Sequence, residues 1–126
     1  MPTPSILVAE DEQPIADVLV ALLGDEGYAV RHARDGAVAL AMIERDPPDL
    51  LISNVAMPYV DGIQLARRVT DRLNPIPVVL VSAQVDAVDL PGVVFVAKPF
   101  DLDHIVALVG RLLDGRAVAG TAGDGG

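Results

Sequence analysis

A chain of 126 residues with 52% hydrophobic content and a mean hydropathy of +0.44 has the size of one domain and ample apolar material for a core. Two Phe, two Tyr and no Trp leave that core to Val, Leu, Ile and Ala, and argue against base stacking on nucleic acid. A net charge of −9 with a pI of about 4.3 argues against unaided binding to a phosphate backbone or an anionic membrane surface, and the lack of cysteine excludes a disulfide framework or a thiolate metal site.

The first predicted element is a short buried strand, Ser5–Ala9, that ends in the acidic run Glu10, Asp11, Glu12. Gln13 and Pro14 suit the first turn of a helix whose apolar stripe is expected to be Ile15, Val18, Leu19, Leu22 and Leu23, up to Gly27. A second strand is expected over 28–33, followed by a helix capped by Asp35 that carries Val38, Leu40, Ala41 and Ile43 until Pro47 and Pro48 end it. The third strand, Leu50–Asn54, is an apolar block suited to burial on both faces, and Asn54 stands where it opens into the Met57-Pro58 loop. A helix is expected over 63–73, with Arg67, Arg68 and Arg72 on its outer side.

The fourth strand, Val78–Ser82, is again apolar until its last residue. Residues 83–92 have room for a helical turn or two before Pro91 and Gly92 break it. Val93–Ala97 is the fifth strand and delivers Lys98, the single lysine beside eight arginines, where a compact ammonium is wanted. Asp101 caps a last helix with Leu102, Ile105, Val106, Val109, Leu112 and Leu113 on its buried side and Arg111 near its C-terminus. From Gly115 the chain has no apolar period, so residues 1–114 are expected to form the domain and 115–126 a flexible Gly/Ala-rich tail.

Strands alternating with helices five times predict a doubly wound parallel sheet with right-handed crossovers. Glu10, Asp11, Asn54, Ser82 and Lys98 all fall at C-terminal strand ends, where such sheets hold their chemistry. Two acids beside an oxygen-bearing residue suit a hard cation, and a hydroxyl with an ammonium suits the oxygens of a phosphoryl group. Taken singly, each has a plainer reading: the acids as a solvated helix entry, Ser82 as a strand-end hydrogen bonder, Asp61-Gly62 as a turn.

Over residues 6–113 the sequence resembles the receiver domain of two-component response regulators, of the chemotaxis type. The resemblance implies a flavodoxin-like five-stranded parallel sheet in the order 2-1-3-4-5 with helices on both faces; here the fourth helix, before the fifth strand, would be short or irregular. It implies Mg2+ as cofactor, with Asp11 as direct ligand, Glu10 as its outer-sphere partner, and Asn54 and the Ala56 carbonyl completing the metal set. By the same resemblance the phosphoacceptor position would be Asn54, assisted by Ser82 and Lys98. Ser82 and Phe95 would be the switch pair, and the Lys98-Pro99 bond would be cis. The change would be read through the fifth strand and last helix, near Val96 and His104. His32 and His104 read as plain surface residues, with His32 far from the acidic cluster.

The family pattern has aspartate where this chain has Asn54, and an amide nitrogen is a poor nucleophile. Either this receiver works without phosphorylation, as an interaction module, or Asn54 is a substitution in an otherwise competent switch; the match of the other pocket residues favours the second. The resemblance implies a histidine kinase or phosphotransfer protein as donor, and a downstream protein or lost effector domain as output. It admits a homodimer. It implies no enzyme acting on a separate substrate, since the family catalyses only its own aspartyl phosphorylation and dephosphorylation. A phosphohydrolase of the haloacid dehalogenase type wants Asp-x-Asp after the first strand, which Glu10-Asp11-Glu12 does not supply; a Ser82–Lys98 nucleophilic pair lacks a glycine-rich oxyanion loop. No apolar run reaches the roughly 18 residues of a membrane span and the start has no signal-peptide pattern, so a cytoplasmic protein is the expectation.

Overall fold

The computed structural model describes the backbone of residues 3–72, 74–83 and 90–120, and the side chains of these as far as residue 114. The described residues form nine elements in chain order: β1 (Ser5–Ala9), α1 (Gln13–Asp25), β2 (Ala29–Ala33), α2 (Gly36–Arg45), β3 (Leu50–Asn54), α3 (Gly62–Thr70), β4 (Val78–Ser82), β5 (Val93–Ala97) and α4 (Leu102–Gly120). The strands form one parallel sheet in the order β2-β1-β3-β4-β5. The order reverses between β1 and β3, so a crevice opens beyond their C-terminal ends.

Strand alternation sorts the core into two layers. Ile6 and Val8 of β1 with Leu50 and Ile52 of β3 meet Leu19 and Leu23 of α1 and Ile105 and Val109 of α4. Leu7, Leu51 and Leu80 face the other way, onto Ala39 and Ile43 of α2 and Leu65, Ala66 and Val69 of α3. All five residues of β3 are buried, which is what an apolar run in a central strand covered on both sides requires. Each fully buried Leu or Ile contributes roughly 1.5–3 kcal/mol to the folded state.

The caps follow the sequence closely. Asp35 accepts a hydrogen bond from the Val38 backbone N–H at 2.8 Å, and Asp61 and Gln64 form a reciprocal capping box that starts α3. The Asp101 carboxylate accepts from the Asp103 N–H at 2.9 Å at the start of α4. The Lys98–Pro99 peptide is cis, as the resemblance implied.

Some details differ from the sequence reading. Ala16 rather than Val18 faces the sheet from α1, and Val18 is 47% exposed. A methyl lets the helix approach the strands closely, and the bulkier valine is left outside. Likewise Ala39 rather than Ala41 is the buried alanine of α2, and Leu108 joins the buried side of α4 while Leu102 is 38% exposed. α3 ends at Thr70 rather than 73, its Thr70 hydroxyl donating to the Ala66 carbonyl, and Ile76 returning to Val69. The α4 backbone runs on to Gly120, past the expected exit at Gly115: two glycines weaken a helix by about 1 kcal/mol each, but without a proline they do not stop it. The expected short helix falls largely on residues 84–89, which lie outside the described residues, as does the end of the expected tail, 121–126.

Candidate functional site

The residues at the strand ends meet in one cleft of about 400 Å3, lined among others by Asp11, Asn54, Ala56, Ser82, Phe95 and Lys98. β1 brings Glu10 and Asp11, β3 brings Asn54 and the turn to Ala56, β4 brings Ser82, and β5 brings Phe95 and, one residue past its end, Lys98. The pairing Ser82↔Ala97 and the hydrogen bond from the Lys98 N–H to the Ser82 carbonyl at 2.9 Å hold the two backbones together at the rim, where both Ser82 and Lys98 line the cleft.

Asn54, 9% exposed, is the hub. Its Nδ2 donates to Asp11 Oδ1 at 3.1 Å, to the Ala56 carbonyl at 3.0 Å and, more weakly, to Glu10 Oε2 at 3.4 Å. Its Oδ1 accepts from Lys98 Nζ at 3.2 Å. Lys98 also stands 3.8 Å from Glu10 Oε1. The network therefore runs from the acids of β1 through β3 to the ammonium after β5, and among the described residues no buried side-chain N or O lacks a hydrogen bond.

Glu10 is 3% exposed, and burial pushes its carboxyl above the usual carboxylate range. The Glu12 backbone N–H, donating to Oε2 at 3.1 Å, and Lys98 pull the other way, while Asp11 adds to the rise. Asp11 and Glu12 are exposed.

The oxygens of Glu10, Asp11 and Ala56 are of the kind a hard divalent cation takes. As Asn54 stands, however, all three accept from its amide nitrogen, and among the described residues no three His, Asp or Glu side chains group as a metal site. The residues present do not fit a bound Mg2+ without moving Asn54.

Every sequence-predicted site residue reaches this cleft or its wall. Phe95 is half-buried between the cleft and the core layer that includes α2 and α3. Val96 is buried, 6% exposed, so it belongs to the core rather than to a readout surface; His104 is exposed. His32 is nearer the cluster than expected. Its Nε2 lies 2.8 Å from the Glu10 carbonyl, because the β1–β2 register sets Val8 beside His32, and only that non-local pairing reveals it. Nothing local in the sequence singles out Tyr59, which is 83% exposed and holds φ at 72°, an uncommon conformation for a side chain of its size, in the loop between β3 and α3. A wider groove of about 530 Å3, lined by residues including Arg67, Asp71 and Pro91, lies away from these strand ends and has none of the converging acids.

A family model described as the response regulator receiver domain matches residues 6–110. The response regulator MprA of Mycobacterium leprae is 32% identical over 114 residues, covering 86% of this chain and 50% of MprA; the chain thus spans about half the length of the curated relatives it matches. Among solved structures, the receiver domain from the hybrid histidine kinase CckA is 36% identical with a TM-score of 0.76, covering 86% of this chain and 98% of that one. The signal receiver domain of a LuxO repressor protein described from Vibrio parahaemolyticus superposes with a TM-score of 0.85 at 25% identity, covering 97% and 98%. No helix among the described residues is long and apolar enough to cross a membrane.

Proposed function

We propose, from the premise that this chain belongs to the response regulator receiver domain family, that it is the receiver part of a two-component phosphorelay whose phosphoacceptor position is Asn54, and that as it stands it takes no phosphoryl group. The observation that carries this reading is the placement of Asn54 at the hub of the strand-end cleft, within reach of the ammonium of Lys98 and across from Ser82. An acyl phosphate forms when a carboxylate oxygen attacks phosphorus in line with the leaving group, with fixed positive charge drawing off electrons. The nitrogen lone pair of Asn54 is delocalised into its carbonyl, its N–H groups point at Asp11, Ala56 and Glu10, and its oxygen is uncharged. Nothing at this position attacks.

The remaining parts keep receiver roles in this reading. Lys98 holds the acceptor oxygen, Ser82 offers a hydroxyl on the neighbouring strand, and Phe95 is the aromatic that would move with it. The Mg2+ that receivers generally use would meet Glu10, Asp11 and the Ala56 carbonyl, but here those oxygens are engaged by Asn54, so the reading of the unaltered chain does not depend on it. The donor would be a histidine kinase or phosphotransfer protein and the output a protein partner or effector segment. The chain acts on no separate substrate.

A second reading is a phosphorylation-independent receiver that works as a binding module. The saturated contacts of the Asn54 amide favour it, since the cleft is closed into one network without a phosphoryl group. Intact-protein mass spectrometry after exposure to a small acyl phosphate with Mg2+ separates the two. The unaltered chain should gain nothing, Asn54→Asp should gain one phosphoryl group, and adding Lys98→Ala to Asn54→Asp should cost most of that gain. Rapid uptake by the unaltered chain would put the acceptor elsewhere; no uptake by Asn54→Asp would favour the binding module over a disabled switch.

A further inference from the structure

The contacts of Asn54 give it a task beyond marking a missing carboxylate. Two carboxylates and a backbone carbonyl converge on Nδ2, at 3.1 Å from Asp11, 3.0 Å from Ala56 and 3.4 Å from Glu10. The amide has two N–H bonds for these three acceptors, so Glu10 receives the poorest share. On the other side Oδ1 faces the Lys98 ammonium at 3.2 Å. This orientation is set by chemistry: turned over, the amide would put its oxygen among three oxygens and its N–H groups against a cation.

We propose that the Asn54 carboxamide is an internal surrogate for a divalent cation and not a ligand for one. Its NH2 group draws together the oxygens of Glu10, Asp11 and Ala56 in the metal-free protein, Lys98 locks it in that orientation, and Mg2+ competes with it for the same oxygens. The inference rests on the receiver reading only for identifying these oxygens as the family's cation position.

The two roles predict opposite signs for one substitution. If Asn54 were a ligand through its carbonyl, Asn54→Ala would weaken Mg2+ binding. As a competitor, its removal releases three oxygens, two of them on acids, and Asn54→Ala should bind Mg2+ more tightly than the unaltered chain, on the order of tenfold for the hydrogen bonds no longer to be displaced. Asn54→Asp should bind more tightly than the unaltered chain as well. The measurement is calorimetric titration of each protein with Mg2+ alone, with backbone NMR shifts at Asp11 and Ala56 locating the ion.

Should Asn54→Ala not fold, Lys98→Met tests the same lock. It frees the amide to turn its oxygen to the ion, so it should raise Mg2+ affinity more in the unaltered chain than in Asn54→Asp, where only the loss of a nearby positive charge acts. Tighter binding by Asn54→Ala, or a larger Lys98→Met effect in the Asn54 chain, sustains the inference. Equal or weaker binding by Asn54→Ala overturns it while leaving the receiver reading intact, as do equal Lys98→Met effects in the two chains. Shifts centred away from Glu10 and Asp11 in every variant, including Asn54→Asp, would overturn both.

Discussion

Among the described residues Glu10 is the buried acid, 3% exposed just past the end of β1 and 3.8 Å from the Lys98 ammonium. Its pKa is raised by burial first of all, and that displacement is a statement about stability. Between the ordinary value of 4.5 and the raised one, the folded protein holds a proton that the unfolded chain has released, so stability falls as pH rises through that window. Below the window the contribution is fully present, and above it the protein carries the buried carboxylate at a cost. Glu10→Gln should remove this component. Denaturant unfolding across the acidic range should show the unaltered chain losing stability relative to Glu10→Gln as pH rises. Parallel curves for the two proteins would mean that Lys98 and the Glu12 N–H offset the burial entirely.

At the level of elements, two glycines set how closely the loops pack around the cleft. A Cβ on Gly36, at the start of α2, would run into the carbonyl of Val60, and one on Gly62, at the start of α3, into the carbonyl of Asn54. Gly110 inside α4 would meet nothing within 4 Å. Gly36→Ala should therefore destabilise by about 2 kcal/mol through overpacking, whereas Gly110→Ala should stabilise by up to about 1 kcal/mol, since glycine is the poorer helix former. Chemical denaturation of both variants checks the pair, and a neutral Gly36→Ala would show that the loop after β3 yields freely. Gly62→Ala should in addition disturb the NMR signals of Asn54, on whose backbone it presses.

These approaches also explain what the sequence could and could not disclose. Strand positions were legible because central parallel strands read as unbroken apolar runs, and helix starts because Asp35 and Asp101 announce them. Asp61 beside Gly62 suggests a turn, whereas Gln64 three places on completes a capping box with it. The buried alanines Ala16 and Ala39 were not legible, since periodicity weights the larger Val18 and Leu40 above a methyl that wins by allowing close contact. Across strands the loss was greater. That Asn54 would donate to three oxygens at once, and that His32 would reach the Glu10 carbonyl, depends on register between segments far apart in the chain, which no local spacing encodes.

For the whole molecule, the sheet divides the chain into two layers, and its two phenylalanines report on them separately. Phe95 packs with Leu80, Leu65 and their neighbours and forms part of the cleft wall beside Ser82. Phe100 packs in the layer that includes α1 and α4, and lines a small apolar pocket together with Pro14, Ile15 and Val18. A group filling the cleft should act first on Ser82 and Phe95, because packed layers pass on displacement through contact and Phe100 lies across the sheet from that wall. Phosphorylation of Asn54→Asp should thus move the ring signals of Phe95 well beyond those of Phe100, while the unaltered chain given the same donor should move neither. Ring-selective NMR labelling reads both residues in one spectrum. Equal movement of the two rings would mean that the layers respond as one body, and movement of Phe100 alone would relocate the response to the α1 side and remove Phe95 from the switch.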